Sequence, residues 1–214
     1  MLPYYYTVSG QGEREIVIQK SRFISQVARV ETEEQAQEFI AAIKKKHWNA
    51  THNCSAYLIG ENDQIQKAND DGEPSGTAGV PILEVLKKKK LKDTVVVITR
   101  YFGGIKLGAG GLIRAYGKAA AEGIAAARIV ERKLVTTMHS TIDYTLLGKV
   151  ENALHSSIYD VKEVTYLDKV IIETYVETGQ EPAFCDWMTE LTNGQADIES
   201  GEELYLEKNF SQHE

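Results

Sequence analysis

The sequence predicts an α+β chain of two domains, residues 1–136 and 137–214. Three observations predict it. Strand and helix patterns are mixed along the chain, the pattern restarts after residue 136, and the charge divides near the same place. The 214 residues carry a formal net charge of −7. Residues 1–134 hold 20 Lys and Arg against 15 Asp and Glu, whereas residues 135–214 hold 4 Lys, no Arg and 16 Asp and Glu. The length suits one large domain or two ordinary ones, and an apolar fraction of 43% is enough for real cores. An asymmetry of this size points to two units with different partners.

The elements follow in order. Residues 13–30 alternate and are rich in β-formers, which predicts two strands turning near Lys20. Thr32 and Gln35 form a capping box, and Ala36, Phe39, Ile40 and Ile43 make one helical face. Lys44, Lys45 and Lys46 suit the end of that helix, where the dipole favours cations, so the run reads as a solvated helix end. Residues 53–59 and 64–68 read as paired strands. Residues 82–90 have a helical period at Ile82, Val85 and Leu86. Residues 94–99 are apolar on both faces, which predicts a central strand. Residues 110–127 predict a helix burying Leu112, Ile113, Tyr116, Ala119, Ala120, Ile124 and Ala127. Residues 129–135 read as a further strand. In the second domain, residues 140–145 predict a strand and 146–155 a helix. A hairpin follows over 159–167 and 169–176, turning at Asp168. A helix after Pro182 carries Phe184, Trp187, Met188 and Leu191 and stops at Gly194, before a strand over 196–207. Strand–helix–strand–strand–helix–strand is the ferredoxin-like, split βαβ order.

Composition narrows the function classes. Two distant cysteines, Cys54 and Cys185, no signal peptide and no apolar run of membrane length predict a reduced, cytoplasmic setting and no membrane partner. The acidic half opposes non-specific nucleic-acid binding by the whole chain. It suits a basic protein partner instead.

Eight of the 17 glycines lie between Gly72 and Gly111, in two loops that each precede a predicted helix. The first loop, DDGEPSGTAGVP, contributes Gly76, Thr77 and Gly79. The second, RYFGGIKLGAGGLIR, contributes Arg100, Tyr101, Gly103, Gly104, Lys106, Gly108, Gly110 and Arg114. Free amides at a helix start beside a cation make an anion or nucleic-acid site, and glycine lets the backbone approach the ligand. The alternative is turn geometry and close helix–sheet packing. Gly111, Ala115 and Ala119 fit packing, whereas Gly103, Gly104 and Gly108 flank Lys106 and fit a ligand. The two loops are expected side by side. Neither a Walker loop nor a G-x-G-x-x-G dinucleotide fingerprint is present. Asp70, Asp71 and Glu73 suit either loop support or a magnesium ion held with a phosphate. His52 and Cys54 share a strand face and read as a structural histidine beside a buried cysteine. Tyr101 and Phe102 suit stacking on bases or capping of the core. No catalytic set, dedicated metal site or cofactor is predicted.

KSRF at residues 20–23, ATHNCSAY, DDGEPSGTAGVPIL and RYFGGIKLGAGGLIRAY, in this order, resemble the signature blocks of the YigZ/IMPACT family. The resemblance spans the first domain. It implies an N-terminal βαβ unit like a small-subunit ribosomal protein and elongation-factor domain IV, and a C-terminal unit like the last domain of an elongation factor. It also implies a translation-associated regulator that binds RNA, the ribosome or a translation factor. The eukaryotic relative acts on translation through an additional domain, so that mechanism does not transfer simply. Two other readings stand beside this one. The chain is alternatively an enzyme acting on a phosphorylated small molecule or nucleotide, since LGAGGLIRA resembles the phosphate loop of kinases with this domain type. It is alternatively a protein-interaction module.

Overall fold

The computed structural model describes residues 1–209. The chain separates into two compact units. One contains Tyr5–Glu131, and the other contains Met1–Tyr4 with Arg132–Glu207. The division at 131/132 falls inside one strand, so no linker marks it. No helix among the described residues is long and apolar enough to cross a membrane.

The first unit is built on an antiparallel five-stranded sheet. Its strands are β2 (Gly12–Ile18), β3 (Ser21–Arg29), β4 (His52–Ile59), β5 (Ile65–Asn69) and β6 (Thr94–Tyr101), in the order β2-β3-β6-β4-β5. The middle position of β6 explains its apolar run, because both faces are covered. Val96 and Ile98 meet α2 (Gly79–Lys88) and α3 (Gly108–Ala127) on one side, and Val95 and Val97 meet α1 (Glu33–Lys46) on the other. Helix α1 starts as its sequence predicts. Thr32 accepts from the Gln35 amide at 3.3 Å, and the Gln35 side chain reaches back to the Glu31 amide at 2.8 Å. Helix α3 lies against the sheet on Leu112, Ala115, Tyr116, Ala119, Ala120, Gly123, Ile124 and Ala127. Ile113, expected on this buried side, is instead 45% exposed. It sits one position past Leu112, about 100° round the helix and off the packed stripe.

A strand that the alternation did not reveal, β1 (Tyr4–Val8), precedes the sheet. Its Tyr6 carbonyl accepts from the Lys92 amide at 2.8 Å. The two strands expected over 129–135 and 140–145 are one strand, β7 (Ile129–Ile142), because no glycine or proline interrupts IVERKLVTTMHSTI.

The second unit continues with α4 (Tyr144–His155), β8 (Asp160–Tyr166), β9 (Val170–Glu177), α5 (Glu181–Thr192) and β10 (Asp197–Asn209). Its five-stranded sheet runs β1-β7-β9-β8, with β10 also on β7, and from β7 onward the elements follow the predicted βαββαβ order. Its core gathers Met138, Ile142, Val150, Leu154, Ile172, Phe184 and Met188. Asn193 takes the left-handed helix-ending conformation at φ 51°, and Gly194 follows at φ 72°.

Candidate functional site

The two glycine loops precede helices on the same face of the first sheet, and a buried polar cluster ties them together. Its centre is Glu73 of the first loop. Glu73 Oε1 accepts from Arg100 Nη1 at 2.6 Å and from the Tyr116 hydroxyl at 2.8 Å. Arg100 closes β6 just before the second loop, and Tyr116 lies two turns into α3. Glu73 and Arg100 are only 7% and 5% exposed. A buried pair of this kind contributes little net stability, but removing one partner costs about 3–5 kcal/mol, so the cluster fixes geometry. The Arg100 guanidinium also lies over the rings of Phe23 and Phe102, at 5.4 and 5.5 Å. His52 Nδ1 donates to the Asp71 carbonyl at 2.8 Å, and its Nε2 stands 3.8 Å from Glu73 Oε2. The Cys54 thiol has two acceptors for its one proton, the Asp70 carbonyl at 3.0 Å and the Tyr116 hydroxyl at 3.3 Å. Burial pushes the Cys54 thiol up to about 12, so it is no thiolate at neutral pH. Burial likewise raises Tyr116, and its neighbours Cys54 and Glu73 add to the effect.

The first loop satisfies itself. Asp70 Oδ2 accepts from the Gly76 amide at 2.8 Å, and Oδ1 accepts from the amides of Ala78 and Gly79 at 3.0 and 2.8 Å. The start of α2 therefore already holds an anion, supplied by the chain itself. Burial opposes ionisation of Asp70, but the three amides outweigh it and hold the carboxyl below its ordinary range. Asp71 takes Lys44 at 2.5 Å and the Asn53 amide at 2.7 Å. Burial opposes its ionisation too, and these two donors prevail. Lys44 thus braces this loop rather than merely ending α1. The Thr77 hydroxyl donates to the Pro74 carbonyl at 2.6 Å. Among the described residues, no group of three or more His, Cys, Asp and Glu converges to hold a metal ion.

The second loop is open. Helix α3 begins at Leu107 with no side-chain cap. Lys106, Gly108, Gly110 and Arg114 are exposed, as is Gly104. Gly104 and Gly108 adopt φ of 86° and 70°, and a side chain at either would meet empty space. Gly103 differs, because a Cβ there would lie 2.0 Å from the Lys20 backbone. It is a packing glycine, set against the β2–β3 turn, and its amide donates to Ser21 Oγ at 3.2 Å. Beside the cations stand Phe102, Ile105 and Ile113, exposed at 46%, 41% and 45%. Tyr101 is tied down: its hydroxyl lies 2.9 Å from His47 Nδ1, and Arg22 lies 5.3 Å from its ring centre.

Of the residues predicted for one shared site, the structure divides two sets. Gly76, Thr77, Gly79, Asp70, Asp71, Glu73 and Arg100 are engaged internally, and Gly104, Lys106, Gly108, Gly110 and Arg114 face outward. Sequence reasoning missed the polar role of Tyr116 and Ser21. The signal for Tyr116 was a tyrosine on an alanine-rich buried face, where its hydroxyl must find a partner.

Residues 19–124 match the family described as Impact N-terminal domain, and residues 141–195 match the one described as Domain of unknown function (DUF1949). The chain is 66% identical over 208 residues to IMPACT family member YvyE of Bacillus subtilis (strain 168), covering 97% of this chain and 96% of that protein. It is 37% identical over 98 residues to Protein IMPACT of Mus musculus, covering 44% of this chain and 30% of that protein. A solved structure titled "Crystal structure of an hypothetical protein" superposes with a TM-score of 0.60 at 26% identity, over 94% of this chain and 99% of the other. Coverage of nearly the whole chain by YvyE, on top of the two matched domains, shows that the chain belongs to the IMPACT family.

Proposed function

We propose that this protein is a translation-associated regulator without an enzymatic role, whose first unit binds RNA, free or on the ribosome, through its second glycine loop. One observation carries the reading: the amides of the first loop are filled by Asp70, whereas the second loop presents an uncapped helix start beside Lys106 and Arg114. Cations and amides there suit phosphate groups, which fix position without reading sequence. Exposed Phe102 adds a ring on which a base can stack. The family resemblance supports a place in translation and a cytoplasmic setting. On this reading the acidic, ferredoxin-like second unit takes no part in phosphate contact and suits a basic protein partner.

The test is binding of structured RNA and of ribosomes, titrated against salt. Replacing Lys106 and Arg114 together by alanine should weaken binding and flatten the salt slope by about 1.4–1.8, at about 0.7–0.9 per lost phosphate contact. Unchanged affinity and slope would refute the site. Nucleotide turnover with magnesium, accompanied by a raised melting midpoint, would favour the enzyme reading instead.

A further inference from the structure

A second basic feature of the first unit lies away from the glycine loops. Helices α2 and α3 end beside a cleft of about 490 Å³ lined by Tyr6, Val85, Lys88, Lys89, Lys90, Ala121 and Ile129. None of the three lysines has an ion-pair partner among the described residues. Of the carboxylates on these two helices, Glu84 pairs with Lys87 at 3.6 Å and Glu122 with Arg14 at 4.0 Å. Helix C-termini attract cations, which accounts for part of this arrangement. Each terminus supplies only about half a negative charge, so two of them leave the three lysines with a surplus of about two positive charges.

The backbone gives a second, independent sign. Lys90 follows α2 in the left-handed region at φ 55°, and the Leu91 amide closes the helix on the Leu86 carbonyl at 3.1 Å. Glycine is favoured at this position, and a lysine there costs stability. The chain nevertheless carries its cation at that point. Arg128, which caps α3 one residue before Ile129 of the cleft, is a second cation at positive φ, 59°, although its ψ of 128° lies outside the left-handed helical region. The apolar wall of Val85, Ile129 and Tyr6 below a cationic rim fits a ligand that is polyanionic but not wholly polar.

We propose that this lysine-rimmed cleft is a second contact for the sugar–phosphate backbone of RNA, on the same strand that meets the second loop. The inference rests on the reading of that loop as an RNA contact. Ala121 lies 13 residues beyond Gly108 on α3, about 20 Å at 1.5 Å per residue. Lys118, exposed and one turn beyond Arg114 of the loop site, stands between the two sites. A stacked strand covers that distance with about six nucleotides at about 3.4 Å each.

The experiment is fluorescence anisotropy with labelled oligoadenylates, which stack, of 4 and 15 nucleotides over a potassium chloride series. The full chain is compared with Lys88→Ala/Lys89→Ala/Lys90→Ala and with Lys90→Gly. For the 15-mer, the triple variant should lose about two units of salt slope, at about 0.7 per contact for single strands, and about tenfold or more in affinity. Its affinity for the 4-mer should stay within about twofold, because the short strand needs only the loop. Lys90→Gly should weaken the 15-mer while its thermal midpoint stays level or rises, which separates binding from folding. If Lys106→Ala/Arg114→Ala weakens the 15-mer and both lysine-cleft variants leave its slope and affinity unchanged, the cleft proposal is overturned and the loop reading survives. If the unaltered chain binds neither oligonucleotide at low salt, both are overturned.

Discussion

Asp70 decides which glycine loop is available to a ligand. One carboxylate receives three amides, so the first loop is closed by a residue that also had the composition of a metal ligand. Asp70→Ala should cost about 1–2 kcal/mol, the usual effect of losing a helix cap. The pH dependence has a definite sign. The folded carboxyl is held below its ordinary value, so its stabilisation is present above the unfolded value of about 3.9 and fades as pH falls through the folded one. Thermal melts should therefore show a gap between the unaltered chain and Asp70→Ala at pH 7. The gap should narrow below about pH 4. A gap that persists undiminished at pH 2 would show that Asp70 acts by something other than its charge. The sequence made Asp70, Asp71 and Glu73 legible as a group, and loop support was one of the two roles it allowed. It did not show which carboxylate meets which donor, because Lys44, Asn53, Arg100 and Tyr116 come from four different elements.

Helix α3 shows how two glycines of one element differ. A Cβ at Gly123 would stand 2.1 Å from Ser25 Oγ and 2.7 Å from its Cβ, whereas Gly117 has nothing within 4 Å. Alanine is favoured over glycine by about 0.8–1.0 kcal/mol inside a helix. Gly117→Ala should therefore stabilise the chain by up to about 1 kcal/mol. Gly123→Ala should destabilise it, because overpacking costs about 1–3 kcal/mol and the neighbour belongs to a central strand. Urea unfolding of both variants checks this, and equal midpoints would contradict the close approach of α3 to β3. At this scale the sequence was most legible where period and burial agree, as in β6 and α1. Strand β7 was divided in two because its polar and apolar residues do not alternate cleanly, and β1 was missed because YYYT offers no period of its own.

Charge divides the whole molecule. The sequence showed a basic first half and an acidic second half, and the two compact units separate within β7, between those compositions. What the sequence could not show was which of two similar glycine loops is open, since that depends on one carboxylate folding back on its own helix start. On the proposed reading, RNA meets the first unit through the second loop and avoids both the first loop and the acidic unit. The most direct test is ultraviolet cross-linking of bound RNA to the full chain, with the attached peptides mapped. Cross-links are expected within residues 101–118, at Phe102 foremost, and none within 70–79 or 140–207. Cross-links confined to the first loop or to the acidic unit would contradict it.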